Sequence, residues 1–212
     1  LSSVILLQYV AAGGSLTDAG GLTLNTDALE QVLTFYERAA EGDVISETSL
    51  SYLTPNDYLA NFSGGEADAA VFRSTTFLRL LESTPDLGLT TIPTPDGTPT
   101  TLLDGWMWVL VASDSTQQEL ATRYITHMMM PARQADYADH ILMLPSQRSA
   151  LQDTALDDAH IEFYLELLEN AVLPPATDGG SLARRIQDAV ALVIRGESDA
   201  EAATAAVANT DD

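Results

Sequence analysis

The 212-residue sequence contains no cysteine, and its nine basic residues are all arginine because lysine is absent as well. Without cysteine there is no disulfide framework, no thiolate metal site and no thiol nucleophile, and the redox compartment stays open. Without lysine no phosphate-binding loop of the G-x-x-x-x-G-K-[ST] type exists, and G-x-S-x-G and H-E-x-x-H are missing too. No apolar run reaches the roughly 18 residues that a membrane-spanning helix needs. The opening LSSVILLQYVAAGG is apolar, but the first arginine is Arg38, so no basic segment precedes it as in a signal peptide. It reads as a buried or amphipathic helix that ends at Gly13-Gly14, where glycine takes the left-handed backbone of a C-cap. A chain opening on Leu1 is expected to continue upstream. Positive charge is scarce as well: 31 acidic residues set the formal net charge at -22. Such a surface repels phosphate backbones and anionic lipid, which argues against nucleic acid and membrane surfaces as partners. A salt-adapted or GC-rich source explains the acidity equally well.

What is present is enough for a globular chain: 46% hydrophobic residues and 19% charged. SLTDAGGLTLNT reads as turns, and Asp27-Ala28-Leu29-Glu30 as a capping box that opens a helix. Leu29, Val32, Leu33, Tyr36, Ala39 and Ala40 keep its helical period up to Gly42. PNDYLANFSGGE predicts a short helix with Tyr58, Leu59 and Phe62, followed by a glycine turn. Ala67–Phe72 and Leu87–Pro93 are expected strands on either side of a helix near 75–82. In DGWMWVLVA, Trp106, Trp108 and Leu110 alternate with Met107, Val109 and Val111, so both faces are apolar, as in a strand covered by helices on two sides. Ser115-Thr116-Gln117-Gln118 predicts another cap, for a helix whose stripe of Leu120, Ala121, Tyr124, Ile125, Met128 and Met129 stops at Pro131. Helices are expected near 132–140, 157–172 and 181–195, and Ser198-Asp199-Ala200-Glu201 caps a last one. Helices dominate an α/β or α+β pattern, without internal repeats.

Chemistry-bearing clusters are few. Asp157-x-x-His160 is the one histidine pairing at ligand spacing, and it reads as a solvated helix start more readily than as a metal site. Glu162, Glu166 and Glu169 read as an exposed helix face, and Met128-Met129-Met130 as packing. Trp108, deeper in its strand, is expected in the core. Trp106 follows Asp104-Gly105, where a strand emerges and glycine allows close approach. An indole face beside a carboxylate suits a sugar, whose C–H groups pack on the ring while its hydroxyls bond the acid.

The order of these segments resembles the second half of the bacterial extracellular solute-binding proteins of the sugar-binding group, relatives of maltose-binding protein that serve ABC importers. VAAGGSLTD, DALEQVLTFYERAAEGDVIS, NFSGGEADAAVFRST, LGLTTIPTPDGTP, LDGWMWVLVASDSTQQELATRYITHMM, MLPSQRSAL and SLARRIQDAVALVIRGESDAEAATAAV run in the family's order over nearly all of the chain. Each motif is weak alone, and their collinearity carries the likeness.

The resemblance implies an α/β, periplasmic-binding-protein-like (type II) fold, mostly the helix-rich C-terminal lobe with part of the second. Residues 1–102 and 155–212 would belong to the C-terminal lobe, and 103–154 would cross the hinge into the other. The rest of that lobe, a signal peptide and a lipid anchor are expected outside the chain, with an extracellular or periplasmic location. Carried over by position, Phe72, Arg73 and Ser74 end the small-residue strand at the cleft. Asp104, Gly105 and Trp106 match the cleft-lining Gly-Trp element, although Asp104 replaces the usual first glycine, and Trp108 is counted with them among the ligand-binding candidates. Arg148 matches a structural arginine, and Asp178-Gly179-Gly180 precedes a helix that opens toward the cleft. The implied activity is non-enzymatic delivery of a carbohydrate or similar polyhydroxylated solute to importer permease subunits, without metal or cofactor. Two other readings stay open. One is a carbohydrate-active enzyme using paired carboxylates, of which Asp104 with Asp178 is the one pair to nominate. The other is an isolated interaction domain that dimerises through apolar surface on 103–150.

Overall fold

In the computed structural model, residues 2–16, 21–52, 55–174 and 180–209 are described. They form two compact units. The first comprises residues 1–71, 91–103 and 170–212, and the second 72–90 and 104–169, so the chain passes between them four times.

The first unit is built on helices whose apolar stripes are continuous. Helix α1 (Ser3–Ala11) buries Ile5, Leu6, Leu7 and Tyr9, and Gly13 ends it with φ +95°. The expected turns after it contain a small antiparallel ladder, β1 (Ser15–Leu16) with β2 (Leu22–Thr23), in which Ser15 faces Thr23. Helix α2 (Thr26–Glu41) buries Leu29, Val32, Leu33, Tyr36 and Ala39 as its period predicts, while Ala40 is only half-buried. A 3₁₀ turn (Glu47–Ser51) and α3 (Pro55–Ser63) follow. Late in the chain, α9 (Gly180–Ile194) and α10 (Ala200–Ala208) pack with α2 around Leu29, Leu33, Ile186, Val190, Ala203 and Val207. Each fully buried leucine or isoleucine there contributes about 1.5–3 kcal/mol. Strand β3 (Thr101–Leu102) lies parallel to β4 (Ala171–Val172), and the Leu103 amide extends the ladder to the Val172 carbonyl at 2.8 Å.

Helix α2 starts earlier than the capping box at Asp27 suggests. Asn25 is its cap: the side-chain oxygen accepts from the Ala28 amide at 3.1 Å, and Nδ2 donates to the Gly13 carbonyl at 3.0 Å. The Asn25 amide itself donates to the Tyr9 hydroxyl at 2.6 Å, so one residue ties the end of α1 to the start of α2. Asn25→Ala is expected to lower stability by about 1–2 kcal/mol, since it removes a cap and a second hydrogen bond. Urea denaturation followed by far-ultraviolet circular dichroism reads this, and Asn25→Asp, which keeps only the cap, should fall between the two.

The second unit holds α4 (Ser74–Leu81), α5 (Ser115–Met128), α6 (Pro131–Ile141), α7 (Arg148–Gln152) and α8 (Asp158–Glu169). Phe77, Leu78, Leu151 and Tyr164 are its buried cluster, with Leu81, Leu144, Ile161 and Leu165 packed around them. Burial there pushes the Tyr164 phenol up to about 12. Pro131 opens α6 at a position where no amide bond is lost, which is why the stripe of α5 stops there. The cap of α5 is Asp114, one residue before the expected box, with its carboxylate on the Gln117 amide at 3.0 Å.

Three expected strands are not strands. Ala67–Phe72, Leu87–Pro93 and the run from Asp104 to Ala112 have no neighbouring strand among the described residues, and much of each is exposed. A strand exists only through the ladder that satisfies its amides and carbonyls, and an apolar run does not by itself provide a neighbour. The Asp104–Ala112 run is therefore not covered on two faces: Met107 is 84% exposed and Val111 88%.

Candidate functional site

Arg73 stands at the N-cap position of α4 in extended backbone, and Ser74 is the helix's first residue. Arg73 Nη1 lies 3.2 Å from Asp104 Oδ2, in an ion pair whose side chains are 71% and 70% exposed. At that exposure the pair adds under about 1 kcal/mol to stability, so both groups remain available to a ligand. The structure thus joins two residues that the sequence nominates separately, and Asp104 opens the extended run. The run's far end is also held: Gln118 Nε2, on α5, donates to the Ala112 carbonyl at 2.8 Å.

Between these tethers Trp106 is 91% exposed. Trp108 is 51% exposed and meets Tyr124 of α5 edge to face, with ring centroids 5.6 Å apart. The core position expected for Trp108 is not found, because the run that carries it is not inside a sheet. A side chain added at Gly105 would meet nothing within 4 Å, so the close approach expected at that glycine is not made here. Phe72 is half-buried. Asp178 lies outside the described residues, and Gly180, with φ +67°, starts α9. In quenching experiments Trp106 is expected to behave almost as free indole and Trp108 to be clearly protected. Comparing acrylamide quenching of Trp106→Phe and Trp108→Phe reads each ring alone, and equal slopes would contradict this geometry.

The remaining polar candidates have structural roles. Asp157 caps α8: its carboxylate accepts the His160 amide at 2.9 Å and lies 2.8 Å from that ring's Nδ1. These contacts, the amide first, hold the Asp157 carboxyl below its ordinary range. His160 is tilted against Phe77 at 5.4 Å, which orients the imidazole into the packing of the unit. Arg148 pairs with Glu169 at 3.0 Å, joining α7 to the end of α8. Glu162, Glu166 and Glu169 line an open groove of about 520 Å³ with Asp158, Ile161 and Leu165. No three acidic or histidine side chains among the described residues converge on a metal position.

Sequence reasoning missed Tyr124 as the partner of Trp108, although sixteen residues separate them and no motif signals the contact. It also missed an aromatic group in the first unit. Tyr52 and Tyr58 meet edge to face at 5.1 Å, and Asn61 Nδ2 donates to the Tyr52 hydroxyl.

A family model described as "Bacterial extracellular solute-binding protein" matches residues 3–164. Among solved structures, the cyclic alpha-maltosyl-1,6-maltose binding protein from Arthrobacter globiformis has a similar fold, with a TM-score of 0.70 and 20% sequence identity. The match covers 97% of this chain and 53% of that one, so the chain spans about half of that protein's length. No curated protein matches the sequence.

Proposed function

The chain belongs to the bacterial extracellular solute-binding proteins, and on that premise we propose that it takes part in capturing a carbohydrate for an ABC importer without transforming it. The observation that carries this reading is the Trp106 ring, exposed two residues after Asp104, which pairs with Arg73. An indole face takes up the apolar side of a pyranose, while a guanidinium and a carboxylate supply fixed donors and acceptors for its hydroxyls. Ser74 at the start of α4 and Phe72 before it complete the group proposed for the solute, and Trp108 braced on Tyr124 supports the run that presents Trp106. Gly105 leaves open space beside that ring.

The lobe division at 103–154 belongs to the same reading; the compact unit around that segment also takes in 72–90 and 155–169. So do a periplasmic or cell-surface location, a lipid anchor outside this chain, and importer permease subunits as the protein partner. The solved protein similar in fold is named for an α-linked glucose oligosaccharide, and sugars of that class are the first to test here. Calorimetric titration of the full-length protein with glucose, maltose and cyclic alpha-maltosyl-1,6-maltose, together with an assay for new reducing ends, checks the proposal. Saturable binding with the sugar recovered intact is expected. Hydrolysis would replace the receptor by an enzyme, and no binding across a wider panel of sugars would remove the carbohydrate reading.

A further inference from the structure

The sequence holds three Asp-Gly pairs, Asp96-Gly97, Asp104-Gly105 and Asp178-Gly179, the last outside the described residues. An aspartyl residue followed by glycine can rearrange without an enzyme. The glycine amide nitrogen attacks the side-chain carboxyl carbon of the neutral acid. A C–N bond forms, the carboxyl C–OH and amide N–H bonds break, and one water leaves a five-membered succinimide. Water then opens this ring at either carbonyl. Opening at the side-chain carbonyl restores aspartate, and opening at the main-chain carbonyl gives isoaspartate, whose backbone is one carbon longer. Nothing is oxidised or reduced, and the product has the mass of the starting chain. The step needs a carboxyl free to turn, an amide nitrogen that is not engaged, and no Cβ on the following residue to crowd the ring.

The two described pairs differ in the first two of these. At Asp96-Gly97 the glycine amide donates to the Thr94 carbonyl at 3.2 Å. The Asp96 carboxylate accepts from the Thr98 amide and the Thr98 hydroxyl, each at 2.9 Å, and from the Thr94 hydroxyl at 3.3 Å. These bonds, the Thr98 amide first, also hold the Asp96 carboxyl below its ordinary range, which makes the reactive neutral acid scarcer. At Asp104-Gly105 the run has no neighbouring strand, and the Gly105 amide has no hydrogen-bond partner among the described residues. The Asp104 side chain is 70% exposed, and its one polar contact among those residues is Arg73 Nη1 at 3.2 Å, an exposed ion pair that opens readily. A Cβ on Gly105 would meet nothing within 4 Å, so no packed neighbour stands in the way of ring closure.

We propose that Asp104 is a site of spontaneous isomerisation to isoaspartate, that the same dipeptide at Asp96 is protected, and that the change at 104 abolishes solute binding. The lengthened backbone draws the carboxylate off Arg73 and re-aims the run that carries Trp106. The chemistry at Asp104 stands apart from the carbohydrate reading, and the loss of binding rests on it. Full-length protein kept in mildly acidic buffer at physiological temperature tests both, with peptide mapping by mass spectrometry and isoaspartyl methyltransferase labelling to locate isoaspartate. It is expected to accumulate at 104 at least about tenfold faster than at 96, where hydrogen bonds must break first, through an intermediate lighter by one water. Gly105→Ala, which the open space accepts, should slow the change at 104 about tenfold by crowding the ring. Asp104→Glu, whose ring would have six members, should stop it. Rates at 104 and 96 that agree within about twofold overturn the site, and so does a rate at 104 that Gly105→Ala leaves unchanged. In calorimetry with maltose, aged protein should lose binding capacity in step with isoaspartate at 104, while aged and fresh Gly105→Ala stay alike. Full capacity in isomerised protein overturns the effect on binding. Fresh protein that binds no sugar counts against the carbohydrate reading, and the comparison of 104 with 96 is decided without it.

Discussion

Gly14→Ala is expected to cost about 3–5 kcal/mol of stability, more than a methyl group at almost any surface position. A Cβ built on Gly14 would sit 2.3 Å from Tyr9 Cε1 and 2.4 Å from Cδ1, far inside contact distance. Tyr9 is fully buried and has nowhere to go. Its hydroxyl donates to the Thr23 carbonyl and accepts from the Asn25 amide, both at 2.6 Å, so a ring that swings aside strands two backbone groups. Either the ring stays and the backbone moves, or the ring moves and the junction of α1, β2 and α2 loses its tie. The neighbouring Gly13 makes a sharp contrast. Its Cβ would meet open space, and its constraint is φ +95°, so Gly13→Ala should cost only the 1–2 kcal/mol or so of a left-handed backbone. Both tryptophans lie in the second unit, and urea denaturation followed by circular dichroism, which reads the helices of the first, is the suitable readout. The mechanism has its own check in a double-mutant cycle. In a Tyr9→Leu background the cost of Gly14→Ala should fall below about 1 kcal/mol, and full additivity would mean that the clash is not the cause.

That junction also shows where local sequence stops being informative. The period of α2 and the stop at Gly13 are local, and Leu29, Val32, Leu33, Tyr36 and Ala39 are buried as their spacing requires. The caps are local too: Gly42 and Asp199 cap α2 and α10 where the sequence places them, but two N-caps are displaced. Asn25 and Asp114 hold the amides three residues ahead of them, while the boxes read from the sequence begin at Asp27 and Ser115. Several polar residues in a row can each serve as a cap, and tertiary ties such as Asn25 to Gly13 select among them. The strands failed for a different reason. The apolarity of Ala67–Phe72 and of Trp106–Val111 was legible, but a ladder depends on a neighbour from elsewhere in the chain. The long-range pair that does form, Thr101–Leu102 with Ala171–Val172, joins residues seventy positions apart through two residues each, without hydrophobic alternation to announce it. In the same way Arg73 and Asp104 were each legible as candidates, and their contact was not, because 31 residues separate them. Tyr52, Tyr58 and Asn61 form no motif at all; three dimensions alone make them a group.

Trp106→Ala is expected to weaken sugar binding by the full-length protein about ten- to a hundredfold while leaving the stability of this 212-residue chain within roughly 0.5 kcal/mol of the parent. The separation of the two effects follows from burial. Trp106 is 91% exposed, so truncating it removes almost no packing from these 212 residues. Whatever it contributes is made with a group outside these residues, and in the proposed complex a stacked ring excludes water from one face of the sugar. Trp108→Ala is the counter-experiment, because that ring braces Tyr124 and its loss should lower stability as well as affinity. Trp106→Tyr, which keeps an aromatic face, should recover most of the binding. The charged neighbours answer a further question. Asp104→Asn leaves Arg73 without its exposed partner, costs little stability, and should change the preference among sugars that differ in hydroxyl arrangement more than it changes overall affinity. Affinity unchanged within twofold in Trp106→Ala would mean that the exposed indole is not where the sugar lies. The reading would then have to move to residues whose loss does register.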